Sequence, residues 1–186
     1  MELKTKRLVL RTITKDDVQD LISGLNNINV SRNLALVPFP YTQEDAIWWI
    51  NKCSEEEKKK PRTDYNFSIE HFVDKRIIGS VDLSHVDEFN GTATLGYWLN
   101  EKYWKQGIMT EAVERLLEYA FQEIGLRRIN VSAFVENDGS NALIKKMGFD
   151  EEGKRNKAVK SKADGKIHDE FIYGLLKINW KRKIIL

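Results

Sequence analysis

The sequence predicts a mixed α/β fold of about seven strands and three or four helices, and three observations carry that reading. Met109, Ala112, Val113, Leu116, Leu117, Ala120, Phe121 and Ile124 recur at three and four, the spacing of one buried helical face. Strand-like runs at 95–99 and 129–135 flank this helix, and the order strand, helix, strand implies a parallel pair joined by a crossover. Other β-rich runs come in couples joined by short turns, which implies antiparallel hairpins.

In chain order, residues 8–13 alternate Leu8, Leu10, Thr12 against Val9, Arg11, Ile13 and read as a first strand. Thr14 and Asp17 have the spacing of a capping box. The helix they open carries Val18, Leu21, Ile22 and Leu25 on one face and ends at Asn26, Asn27 and Asn29. Pro38 and Pro40 keep the next stretch irregular. Thr42 then starts a second helix, because Gln43, Glu44 and Asp45 crowd its positive end ahead of Ile47, Trp48, Trp49, Ile50 and Cys53.

The tract E-E-E-K-K-K at 55–60 places its acids three or four residues before its bases, the spacing of solvated helix pairs rather than of an interaction tail. Tyr65, Phe67 and Ile69, the turn Asp74-Lys75-Arg76 and the run 77–83 form an antiparallel hairpin, and 85–91 is a loop into the central strand. A turn centred on Gly107 feeds the long helix, expected to continue through Ile124 to a cap at Gly125. Asn137, Asp138, Gly139 and Ser140 make a turn before a short helix at 141–146, closed by Gly148. Two last extended segments, 149–159 and 169–177, flank a hairpin tip at Asp164 and Gly165.

At 186 residues the chain is long enough for one ordinary core, so one domain spanning 1–186 is expected. Thirty basic against 28 acidic residues give a net charge of +2, and no overall field argues for nucleic acid or membrane. Cys53 is the single cysteine and the three histidines are scattered, so neither a disulfide nor a metal site is expected. The opening M-E-L-K-T-K-R lacks a signal-peptide core and no apolar run is long enough to span a bilayer, so a cytoplasmic location is expected.

The stretch 92–124 organises the rest. A helix start after the Gly107 turn leaves its first N–H groups unpaired and partly positive, a ready site for an anion such as a pyrophosphate. It is neither a Walker loop nor a dinucleotide fingerprint, since the required glycines and lysine are absent.

The blocks Y-W-K-Q-G-I-M-T-E-A, I-G-L-R-R-I, N-D-G-S-N-A-L-I-K-K-M-G-F and E-E-G-K, in this order, resemble the GNAT superfamily of acyl-CoA-dependent N-acetyltransferases. L-x-T-x-R-L-x-L-R, I-I-G-S-V-D-L, L-G-Y-W-L and H-D-E-F-I-Y-G-L-L extend the resemblance over most of the chain, towards the branch of bacterial ribosomal-protein N-terminal alanine and serine acetyltransferases. It implies a GNAT-like fold, a mostly antiparallel sheet splayed in the middle. It also implies acetyl-CoA as cosubstrate, no metal, and a primary amine as acceptor: a protein N-terminus, a polyamine, an amino acid or an aminoglycoside.

By the same resemblance, Lys105, Gln106, Gly107, Ile108, Met109 and Thr110 would offer amides to the CoA pyrophosphate, and Tyr97, Trp98 and Leu99 backbone groups to the pantetheine. An amide near Trp98 would polarise the thioester carbonyl. Asn137 would contact the pantetheine and Ser140 would protonate the leaving thiolate, although the residues alone read Ser140 equally as a helix N-cap. Lys145 and Lys146 would meet the adenosine phosphates.

Two residues depart from the branch's pattern: Lys105 stands where it usually has Gly, and Thr94 where it often has a glutamate that helps deprotonate the amine. With Thr94 unable to act as a base, His85, Asp87 and Glu88 are the nearest substitutes by sequence. The same departure keeps a catalytically silent acyl-CoA-binding module as a competing reading. The basic run between Lys154 and Lys162 is the one patch suited to RNA or a ribosomal surface, with plain solvation the competing reading. A homo-oligomer is compatible with all of this.

Overall fold

The computed structural model describes residues 1–180, which build one open sheet of eight strands in the order β1-β2-β3-β4-β5-β6-β8-β7. The strands are β1 (Glu2–Lys4), β2 (Leu8–Arg11), β3 (Tyr65–His71), β4 (Ile77–Asp87), β5 (Thr92–Leu99), β6 (Arg128–Phe134), β7 (Asp150–Lys160) and β8 (Ile167–Leu176). Every neighbouring pair is antiparallel except β5 with β6, the expected parallel pair. The α/β class and the splayed, mostly antiparallel sheet therefore stand.

The count differs from the expectation by one strand. β1 is three residues long, too short to leave a readable alternation.

The five helices are α1 (Val18–Leu25), α2 (Ile28–Ser31), α3 (Gln43–Glu56), α4 (Ile108–Glu118) and α5 (Asp138–Lys146). The unexpected one, α2, forms because the Asn27 side chain accepts the Asn29 N–H at 2.9 Å and starts a new turn. Asparagines that look like a stop are here a stop and a start. Thr42 and Asp45 exchange reciprocal bonds at 2.8 and 3.2 Å ahead of α3, the capping arrangement that fixes its first turn.

Strand alternation splits the core into two layers. Phe67, Ile69, Val81, Leu83 and Leu95 pack in one cluster with α4 and the turn that follows it, where Leu116, Leu117 and Phe121 are fully buried. Trp98 faces the other way and joins Ile13, Leu21, Leu25, Ile50 and Cys53 under α1 and α3. Each such large side chain contributes about 1.5–3 kcal/mol of burial. The helix after Gly107 is not one continuous α-helix, since residues Tyr119–Ile124 widen into a π-helical turn that Gly125 closes at φ +86°. Three consecutive buried residues, Tyr119, Ala120 and Phe121, lie in it, with Tyr119 edge-on to both Tyr65 and Phe67 at 5.9 Å. An α-helix turns such neighbours to different sides, and the wider turn accommodates them.

The expected loop at 85–91 is strand over its first three residues and a turn over 88–91. β4 continues to Asp87, with a bulge where His85 takes a left-handed φ of +52°.

Candidate active site

The site begins where the parallel pair fails. β5 and β6 pair only from Thr92 to Thr94, opposite Arg128 to Asn130, and beyond that point β5 keeps β4 alone as a neighbour. Asn100 N–H donates at 2.8 Å to the Ile78 carbonyl directly across from it, so the antiparallel alternation turns the main chain of Trp98 and Gly96 towards β4. That of Tyr97 and Leu99 faces the gap. The Leu99 carbonyl is taken by the Trp104 indole N–H at 2.8 Å, leaving the Leu99 N–H and both groups of Tyr97 without a partner among the described residues.

This narrows the expectation of an amide donor near Trp98 to its neighbours and excludes Trp98's own. Its indole is core and its amide points into the sheet, so the outward donors on this strand are its two neighbours. A cleft of about 580 Å³ fills the gap, walled by Tyr97, Trp98 and Leu99, the start of α4, the 136–140 turn and residues 29–34.

The floor at the start of α4 follows from two left-handed residues. Lys105 has φ +60° and Gly107, the N-cap, φ +74°. The first intrahelical bond of α4 runs from Glu111 N–H to the Gly107 carbonyl, and no side chain caps the helix. The amides of Ile108, Met109 and Thr110 are consequently without helical partners, and all three residues line the cleft. With the helix dipole behind them they suit an anionic group.

Glu111 does not compete for these amides. Thr5 Oγ1, Arg7 N–H and Arg7 Nε bond its carboxylate at 2.6, 2.8 and 2.7 Å, and Arg7 Nη1 reaches back to the Gln106 carbonyl at 3.0 Å. Burial pushes the Glu111 carboxyl up, but the bonds from Thr5 and Arg7 outweigh it and hold it below the usual carboxylate range. The turn is thus tied to the chain's first residues through Thr5 and Arg7, both within the L-x-T-x-R-L block but not assigned a role from sequence.

Across the cleft, α5 starts three residues earlier than expected. Asn137 is its N-cap, accepting the Ser140 N–H at 3.1 Å, so Ser140 lies inside the first turn and is not the cap. Its hydroxyl is 2.6 Å from the Tyr97 hydroxyl, closing the two sides of the fork with one hydrogen bond. Burial pushes the Tyr97 phenol up to about 12, partly countered by that bond, so at neutral pH the pair is protonated and can donate. The Asn141 carboxamide anchors the turn, donating to the Phe134 carbonyl at 3.0 Å and accepting from the Tyr173 hydroxyl at 2.8 Å.

Two expected contributors fall outside. Lys145 pairs with Glu151 at 3.0 Å, while Lys146 lines the cleft. The Gln106 side chain donates to the Lys102 carbonyl at 2.8 Å and does not line the cleft. None of His85, Asp87 and Glu88 reaches it either; Asp87 accepts the Asn90 N–H at 2.9 Å in its own turn. His168 is stacked on Phe134 at 4.4 Å and bonded to Glu136 and Asp164, which makes it a clamp on the β8 end. Among the described residues no group of His, Cys, Asp and Glu could hold a metal ion.

A sheet that parts beside a helix N-terminus, with a protonated hydroxyl pair across the gap, suits an extended phosphate-bearing ligand and a leaving group that needs a proton. A family model described as an acetyltransferase (GNAT) domain matches residues 7–150, and the chain belongs to that family. It is 30% identical over 177 residues to p20, an uncharacterized N-acetyltransferase of Bacillus licheniformis, covering 94% of this chain and 96% of that one. It is 36% identical over 108 residues to YdaF of Bacillus subtilis, named as a putative ribosomal N-acetyltransferase, covering 58% of each.

A solved structure of RimL, a ribosomal L7/L12 alpha-N-protein acetyltransferase in complex with coenzyme A, shares the fold with a TM-score of 0.80. There the identity is 22% and the coverage 95% of this chain and 98% of that one. The protein is accordingly an N-acetyltransferase.

Proposed function

We propose that the acceptor is the α-amino group of a protein or peptide. The observation that carries this is the far wall of the cleft, where Asn29, Arg32 and Asn33 stand and the adjoining Glu101 carboxylate is taken up by the Asn27 and Asn29 side chains at 2.6 and 3.1 Å, leaving Glu136 and Asp138 on the opposite side as the acids that line the cleft. Such a wall suits peptide carbonyls and amides, whereas a polyamine with several ammonium groups calls for acids. The name of YdaF points the same way.

The fit to the donor rests on this chain's own groups. The amides of Ile108, Met109 and Thr110, with Lys105 beside them, would hold the pyrophosphate, and the outward main chain of Tyr97 and Leu99 would hold the pantetheine in extended form. Acetyl-CoA supplies the acetyl group as a thioester, so the acceptor amine needs to be neutral, placed and attacked in line, with no acyl-enzyme. The Leu99 and Tyr97 amides are the donors available to the acyl oxygen. The Tyr97–Ser140 pair holds a proton where a thiolate would leave. Asn137, through its bond to the Ser140 N–H, positions that hydroxyl.

A silent binding module, the competing reading, has only Thr94 in its favour. Contact with a ribosomal surface would fall to Lys157, Lys160 and Lys162, because Lys154 and Arg155 are paired to Asp169 and Glu170 at 2.7 Å. A free, buried Cys53 thiol suits the cytoplasm.

The test is acetyl-CoA consumption with mass-spectrometric detection of product over peptides beginning with serine or alanine, spermidine and an aminoglycoside. Acetylation of the peptides is expected. Turnover on spermidine or the aminoglycoside alone would overturn the peptide reading.

A further inference from the structure

An amine reaching the fork arrives as an ammonium, and some group must take its proton. The acids lining the cleft, Glu136 and Asp138, lie on the α5 side beside Ser140, and Glu136 is already bonded to His168. On the other side of the fork Thr94 carries only a hydroxyl. Among the described residues, one carboxylate on the face of the sheet that Trp98 shares is uncommitted. Asp82 on β4 lies directly opposite Gly96 on β5, and Ser84 opposite Thr94, so Asp82 and Thr94 are diagonal neighbours on one face. Such positions are about 7–8 Å apart.

The local geometry is built around this carboxylate. A Cβ at Gly96 would stand 2.6 and 2.8 Å from Asp82 Oδ1 and Oδ2, so the carboxylate leans over β5 in space that only glycine leaves. It does so one step beyond the Thr94–Asn130 pair, the last before the strands part. The residue keeps a partial opening to solvent, no hydrogen bond among the described residues holds it, and it borders a recess of about 10 Å³, room for about one water. An unpaired, enclosed carboxylate costs stability when it is ionised, which leaves its position to be explained by chemistry.

Asp82 is not itself among the residues lining the cleft, and we propose that it accepts the proton of the acceptor amine through bridging water. The inference rests on the peptide-acceptor reading above. The N–H bond of the ammonium breaks, its electron pair stays on nitrogen to attack the acyl carbon, and the proton passes to a carboxylate oxygen and on to solvent. Lys52 and Cys53 on α3 and Asp64 ahead of β3 are the titratable groups acting on Asp82. Asn66 of β3 and Thr94, Gly96 and Trp98 of β5 face it without charge. Enclosure by these elements, with Asp64 adding and Lys52 opposing, lifts the carboxyl to about 7, where a base works well at neutral pH.

The test compares wild type, Asp82→Asn, Asp82→Glu and the double variant Thr94→Glu/Asp82→Asn, on a serine-first peptide and on spermidine, from pH 6 to 9.5. Acetyl-CoA binding by calorimetry serves as the fold control. Asp82→Asn is expected to bind acetyl-CoA as wild type does and to lose about 100-fold in kcat/KM near pH 7. On the peptide the loss should shrink as pH passes the α-amine's own pKa near 8. Asp82→Glu, or a carboxylate restored at 94, should recover part of the neutral-pH rate.

A pH-independent loss, or none, with acetyl-CoA binding intact would overturn the role of Asp82 and leave the acceptor reading standing. If wild type acetylates neither amine, the acceptor reading fails and the inference with it.

Discussion

At the scale of single residues, Asp82 and Lys105 show function set against stability. Asp82 has a folded-state pKa near 7 against an ordinary value of 3.8. The folded protein therefore holds this proton more tightly than the unfolded chain does, and the stability it contributes is present below about pH 4 and lost as pH rises towards 7. Asp82→Asn should raise stability at pH 8 by about 1–3 kcal/mol, below the ceiling of roughly 4 kcal/mol that such a shift allows, and by much less at pH 4.5. Denaturant unfolding at the two pH values measures the difference; equal effects at both would show that the carboxyl is not perturbed. Lys105 pays about 1–2 kcal/mol for its left-handed φ. Lys105→Gly relieves that strain at a backbone-entropy cost of similar size, so stability should change by under about 1 kcal/mol. Acetyl-CoA should then bind about five-fold more weakly at low salt, with the gap narrowing as salt rises. An unchanged Kd at low salt would mean that the ammonium does not meet the phosphates.

At the scale of elements, the fork depends on how closely α1 lies on β5. A Cβ at Gly24 would sit 2.5 and 2.7 Å from Trp98 Cζ3 and Cη2, and a rigid ring in a full core has nowhere to go. Gly24→Ala should cost about 1–3 kcal/mol in spite of alanine's better helix propensity, measured by thermal or denaturant unfolding. A stabilised variant would show that Trp98 can shift. On the opposite side, the hydroxyl pair between β5 and α5 carries the leaving-group chemistry. Ser140→Ala and Tyr97→Phe should each lower kcat by about 100-fold while changing the Kd of acetyl-CoA little. A loss confined to Kd would make the pair a wall of the cleft and nothing more.

For the whole molecule, the sequence carried the architecture because its long elements have strong periods. The parallel pair, the Gly107 turn and the β7–β8 hairpin around Gly165 all appear as read. What was lost was local or long-range. Short elements such as β1 and α2 leave too few residues for a period to show. Residue 137 rather than 140 caps α5, a choice between two good capping types that only the backbone decides. Arg7 reaches Gln106 and Glu111 from about a hundred residues away, and no spacing rule reports that. Asp82 was hidden in plain view, since an alternating strand makes any charged residue on the polar face look merely solvated. Strand pairing is what puts Gly96 across from it.

The central claim is that the fork and the α4 terminus together hold acetyl-CoA. The most direct measurement is the melting temperature of the protein with and without it. At a ligand concentration 100 times Kd, binding adds about 2.7 kcal/mol, and for a chain of this size that corresponds to a rise of about 5–10 °C. Such a rise, reduced at equal ligand in Lys105→Gly, is the predicted result. A melting temperature that does not move at saturating acetyl-CoA would contradict the account at its base.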